Sequence, residues 1–196
     1  MNTLLMAMTE YFRGDPKRVQ HLLKVYTLAH WIGTEEGLDE RTQYILDGAA
    51  CVHDIGIREG ERRFGRNDGA IQEELGPKEA DTLLQRLGWD EEARQRICWL
   101  VGRHHQYEKI MDLDHQILIE ADLLVNAWED QLSAAACRQI GERHIRTKTG
   151  KRIWELLFSF ASREALSRDK EKEQRDKKVR ELMEKRRSMR NDWDRF

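Results

Sequence analysis

Proline is nearly missing from this sequence, with two residues in 196. So little proline, beside abundant Glu, Lys, Arg, Leu and Ala, leaves helices uninterrupted and predicts an all-α protein. Cysteine is scarce too. Cys51, Cys98 and Cys137 are odd in number, far apart and set among apolar residues. They read as buried reduced thiols, which argues against a disulfide framework and for a cytoplasmic protein. No apolar run reaches the ~18 residues of a membrane span. Met1 to Met8 is too short, and too soon followed by Glu10, to read as a signal peptide. A net charge of −2 gives no global pull toward nucleic acid or a membrane. There is no internal repeat.

What is present is a chain that is 39% hydrophobic and 36% charged, enough for a core under a heavily charged surface. Asp15 and Pro16 fit the cap and first position of a helix in which Val25, Leu28 and Ile32 recur at helical spacing, ended by Gly37. A third helix runs from about Asp39 and carries Ile45, Leu46, Ala49 and Val52. Residues 55–76, with five glycines among Arg58, Arg62, Arg63 and Arg66, read as a long loop. Pro77 then opens a helix that Gly88 closes, and Asp90 starts another that ends near Gly102. A helix from about Asp112 is apolar nearly all round, and one from about Gln131 follows it. Thr147-Lys148-Thr149-Gly150-Lys151 lacks the spacing of a P-loop and reads as a turn before a helix with Trp154, Leu157 and Phe158. Composition shifts at about Ser162. Residues 163–196 hold 13 Lys or Arg against 9 Asp or Glu, with apolar residues too sparse for a heptad seam. The expected organisation is a domain over residues 1–162 and a charged helical or partly disordered extension over 163–196.

The chemistry lies in polar residues at inward positions. His21 falls on the Val25 row, one turn earlier. His53 and Asp54 are adjacent at the end of an apolar run, and Gly56 permits the helix to stop so that both can point one way. His104 and His105 close another apolar helix. Asp122 sits inside the most apolar helix of all, where a bare carboxylate demands a cation; a metal ion is favoured over an Arg or Lys. Imidazole and carboxylate without thiolate favour Mn, Fe, Co, Ni or Zn over a structural zinc knuckle.

The order His21, then His53-Asp54-Ile55-Gly56, then His104-His105, then Glu120-Ala121-Asp122 resembles the HD-domain superfamily of metal-dependent phosphohydrolases. The resemblance covers about residues 15–130 and implies an HD-type helical bundle with the metal site in its core. It implies His21, His53, Asp54 and Asp122 as metal ligands. It also makes Asp54, His104, His105 and Asp122 catalytic, and Lys24, Arg58, His104 and His105 substrate contacts. One divalent ion (Mn, Fe, Co, Ni, Zn or Mg) is implied, with room for a second through His104 and His105. The implied reaction is hydrolysis of a phosphate ester or anhydride, of a small nucleotide-like molecule, by a metal-bound water. Glu120 and Glu59 stand as candidate outer helpers. The alternative is a regulatory module that keeps the metal and senses a nucleotide without turnover; oxygenase chemistry at a di-iron site ranks third. A homodimer is compatible with the pattern. Two departures are visible: Ile57 stands where extended signatures have Lys, and Gly76-Pro77 where two-metal members have a further His. The Gly-Tyr-Pro run of the cyclic-di-GMP branch is absent.

Overall fold

The computed structural model describes residues 1–158, which form nine helices and no strand. The charged extension expected over 163–196 lies outside the described residues. The helices are α1 (Asn2–Tyr11), α2 (Pro16–Glu35), α3 (Glu40–Val52), α4 (Gly56–Phe64), α5 (Gly69–Arg86), α6 (Glu91–Val101), α7 (Leu113–Glu129), α8 (Ala134–His144) and α9 (Lys148–Phe158). The all-α expectation holds. Several start where a short polar side chain takes a free backbone N–H. Asp15 accepts from Arg18 N at 3.0 Å with Pro16 in the first turn, Asp39 from Arg41 N and Thr42 N, and Asp90 from Ala93 N.

The core helix is α7, whose every residue from Asp114 to Val125 is buried. It packs against α2 and α3, while α3 also packs on α6, and α4 and α5 lie against one another on the flank. Ala29, Leu46, Ala49, Ala50, Val52, Leu100, Ile117, Leu118 and Ala121 meet at the centre with no exposed surface. Small residues on α3 let neighbouring helices come close, so a side chain placed at its end is held by packing.

Residues 55–76 correct the expectation of a long loop. Most of that stretch is helical, with only a short turn between α4 and α5. Pro77 likewise lies inside α5, which starts eight residues earlier, at Gly69. Gly56 and Gly60 are contact points between the two helices. A side chain added at Gly56 would come within 2.7 Å of Gly76 N, and one at Gly60 within 2.7 Å of Ile71 Cγ2. Among the described residues, no helix is long and apolar enough to cross a membrane.

Candidate metal centre

The centre forms where two helices end and two others pass. After Val52, the backbone of His53 keeps helical angles, but α3 stops and α4 begins at Gly56. The short break at 53–55 lets the neighbouring His and Asp side chains face the same interior point. Gly56 contributes by close contact with α5, since its backbone is an ordinary helical one, not a left-handed turn. His53 Nδ1–H donates to the Ala50 carbonyl at 3.0 Å, three residues back. His104 repeats this at the end of α6, with Nδ1–H donating to the Val101 carbonyl at 2.8 Å. Each imidazole thereby satisfies a helix-end carbonyl and turns its Nε2 inward. His21 arrives from α2 and donates through Nδ1 to Glu129 Oε2 at 3.1 Å. Asp122 arrives from α7.

These acceptors fix which tautomer each ring takes when neutral, and in that form the inward nitrogen carries the lone pair. His21 Nε2 lies 3.3 Å from His53 Nε2 and 3.3 Å from Asp122 Oδ1. His53 Nε2 is 3.5 Å from the same Asp122 oxygen. Asp54 spans the site, with Oδ2 3.7 Å from His21 Nε2 and Oδ1 3.7 Å from His53 and 3.5 Å from His104. The His104 Nε2 is buried and makes no hydrogen bond. Lone pairs and carboxylate oxygens facing one another repel unless something positive lies between them.

Titration of the groups carries the same message. Burial opposes ionisation of Asp54 and Asp122, yet the imidazoles around them win. Asp54 is held down to about 2, chiefly by His53 and His104, and Asp122 is held well below the carboxylate range by His21 and His53. For His21 and His53, burial favours the neutral ring, but Asp122 and Asp54 together raise both above the usual imidazole value. The cavity stabilises positive charge, whether a proton or an ion. Two sets of ligand atoms are close enough to share one: His21, His53 and Asp54, and Asp54, His104 and His105. Asp54 belongs to both.

The remaining sequence-predicted residues divide. The His105 ring lies tilted by 44° against His104 with centroids 3.8 Å apart, and burial with His104 beside it pushes it down to about 4. Lys24 binds Glu129 at 2.6 Å, so its charge supports the carboxylate that orients His21. Arg58 donates to the Tyr11 carbonyl and covers the Tyr11 ring at 4.9 Å, on the α1 side of α4. Glu59 is taken up by Arg62 and Arg63. Glu120 faces away from the centre: its buried carboxylate accepts from Arg146 N at 2.6 Å, Thr147 N at 2.8 Å and the Thr147 hydroxyl, at the start of α9. It stabilises the start of α9.

Two residues escaped the sequence reading. Glu129 lies seven residues after Asp122, two turns along the same helix face, a spacing that would have revealed it. Tyr107 follows the His104-His105 pair; burial and then the Asp122 and Asp54 charges push its phenol up to about 12, so it stays a neutral O–H.

None of the curated proteins matches the sequence. A solved structure described as a predicted HD superfamily hydrolase, from an uncultured Thermotogales bacterium, superposes with a TM-score of 0.62. At 23% identity, with 88% of this chain and 92% of that one covered, it shows a shared fold. The HD domain family model matches residues 18–127, more than half of the chain and every residue of the centre from His21 to Asp122, so the chain belongs to the HD domain family.

Proposed function

We propose that this protein is a metal-dependent phosphohydrolase acting on a phosphate ester or anhydride of a small, nucleotide-like molecule. The observation that carries the reading is the convergence of three imidazole Nε2 atoms and two ionised carboxylates. Among the described residues, neither acid is paired with an Arg or Lys. Such a donor set fits a divalent ion of the Mn, Fe, Co, Ni or Zn type. His21, His53, Asp54 and Asp122 would hold one ion, and Asp54 with His104 and His105 a second.

A divalent ion supplies an acidified water as nucleophile and neutralises charge on the phosphoryl oxygens. The chain's own groups do the rest. Asp122 Oδ1 faces the imidazoles of His21 and His53, which leaves Oδ2 to orient the attacking water. His105, neutral above about 4, offers one N–H or one lone pair at the edge of the centre. The Tyr107 hydroxyl donates to a phosphoryl oxygen without adding charge.

The test is to strip the protein of metal, titrate in Mn, and follow both ion stoichiometry and phosphate release from a nucleotide panel. The expected result is tight binding of one or two ions and metal-dependent release, with Asp122→Asn losing both. Tight metal binding with nucleotide binding but no release from any substrate would favour the regulatory module. Failure to bind any divalent ion would sink the reading altogether.

A further inference from the structure

Two adjacent cavities lie between the 102–112 loop and the end of α8. One, of about 520 Å³, is bounded by His105 itself; the other, of about 630 Å³, reaches Gln116 and Arg146. Both are lined by Tyr107, Glu108, Arg143 and His144, so they are neighbours along one cleft, and the first reaches His105 at the edge of the metal centre. Either volume is in the range that holds a small ligand. Tyr107 lines both cavities, and its ring meets the His144 ring at 5.1 Å.

The cleft is unusual in its cations. Most arginines with structural roles here are matched by acids, as Arg41 is by Asp90, Arg94 by Asp81 and Arg96 by Asp114. Lys109, Arg143 and Arg146, exposed around the cleft, make no ion pair with any described residue, although Glu108 and Glu142 share its walls. Arg143 is steadied by the Gln139 amide oxygen at 3.1 and 3.2 Å, and Arg146 by the Arg143 carbonyl at 3.0 Å, both neutral acceptors. Among the described residues, their charge is therefore placed without an ion-pair partner. The His144 ring registers it, with Nδ1 buried and unpartnered, and with Arg143 and Arg146 helping burial keep it neutral against the pull of Glu108.

We infer that this cleft is a second anion subsite, in which Lys109 and Arg143 hold a further negatively charged group on the part of the substrate that leaves. The inference rests on the phosphohydrolase reading for the position of the scissile phosphate, and it names a substrate class: phosphate compounds that carry a second anionic group, such as nucleoside diphosphates, over simple monoesters. A planar guanidinium suits a phosphate or carboxylate at that position, and a flexible ammonium beside it adds charge.

The test compares two probes that differ by one anionic group, AMP and the non-hydrolysable α,β-methylene analogue of ADP. Calorimetry would measure both on Mn-loaded protein, alongside phosphate release from AMP and ADP. The variant Lys109→Gln/Arg143→Gln should weaken the diphosphate analogue on the order of tenfold more than it weakens AMP, as expected for two lost charge-assisted contacts. Arg86→Gln, exposed at the end of α5 and outside the cleft, controls for net charge and should leave the ratio unmoved. Equal weakening of both probes, or of neither, overturns the subsite. Selective weakening in a protein that hydrolyses neither nucleotide upholds the subsite and removes the hydrolase reading. Hydrolysis with no selectivity does the reverse.

Discussion

Gly56→Ala puts the positioning of Asp54 under direct strain, because two opposing effects have sizes that can be worked out beforehand. Alanine is the better helix former by about 0.5–1 kcal/mol, so propensity alone predicts stabilisation of α4. The added Cβ, however, would stand 2.7 Å from Gly76 N and 3.0 Å from both Gln72 O and Gly76 Cα. All three are backbone atoms of α5, which cannot rotate away, so the helices must separate, at a cost of about 1–3 kcal/mol. Sterics should win by roughly 1–2 kcal/mol, lowering Tm by about 2–8 °C for a chain of this size. Asp54 lies two residues upstream, so metal affinity should fall with stability. Gly33→Ala provides the contrast: its Cβ meets the far end of the Gln43 side chain, which can swing aside. Loss of the 2.7 Å Gln43–Asp47 hydrogen bond then roughly offsets the helix gain, leaving a change within about 0.5 kcal/mol. Thermal unfolding of both variants, with and without Mn, separates the cases. A Tm for Gly56→Ala equal to or above the wild type would refute the argument that the α4–α5 contact sets the centre.

Glu129→Ala removes the acceptor of His21 and should lower metal affinity by about 10–100-fold with the fold retained, read by calorimetry; unchanged affinity would show that the His21 ring is held by packing alone. Because His21 and His53 titrate above the usual imidazole value, an ion must displace a proton from them. Metal binding near neutral pH should therefore release protons, and affinity should rise with pH until both rings are neutral; a flat profile between about pH 6 and 8 would contradict this. In the metal-free protein the same raised values stabilise the fold fully below the unfolded imidazole pKa of about 6.5, a contribution lost as pH climbs through the raised values. Gly150→Ala drives a Cβ into the buried Glu120 carboxylate and should cost about 1–3 kcal/mol by stranding the Arg146 and Thr147 amides. It should leave metal affinity intact, since Glu120 faces α9, and a lost metal site would reverse that assignment.

The division between what was legible in the sequence and what was not follows the range of the forces involved. Helix starts at Asp15, Asp39 and Asp90 depend on a cap and its next three residues, so local sequence carries them. The buried acid of α7 was legible for a related reason: a carboxylate ringed by apolar residues has few physical outcomes, and Asp122 facing imidazoles is one of them. The 55–76 segment was misread because glycine has two uses that look alike in a string. It frees the backbone in a turn, and it thins a helix where another must approach; Gly56, Gly60 and Gly76 do the second, which depends on a partner helix that the local pattern does not name. The same blindness hid the supporting charges. Lys24, implied as a substrate contact, has its ammonium 2.6 Å from Glu129, 105 residues away, which also accepts from His21, and no local pattern names that pairing. Ligand types are therefore written locally, whereas the residues that aim them are chosen by packing. Asp54 joins the two cases. Its candidacy as a ligand is legible in the apolar run before it, but its place in both candidate ligand groups exists only because α6 ends beside the α3–α4 break. A change there must disturb both groups together, which a change at His104 alone need not do.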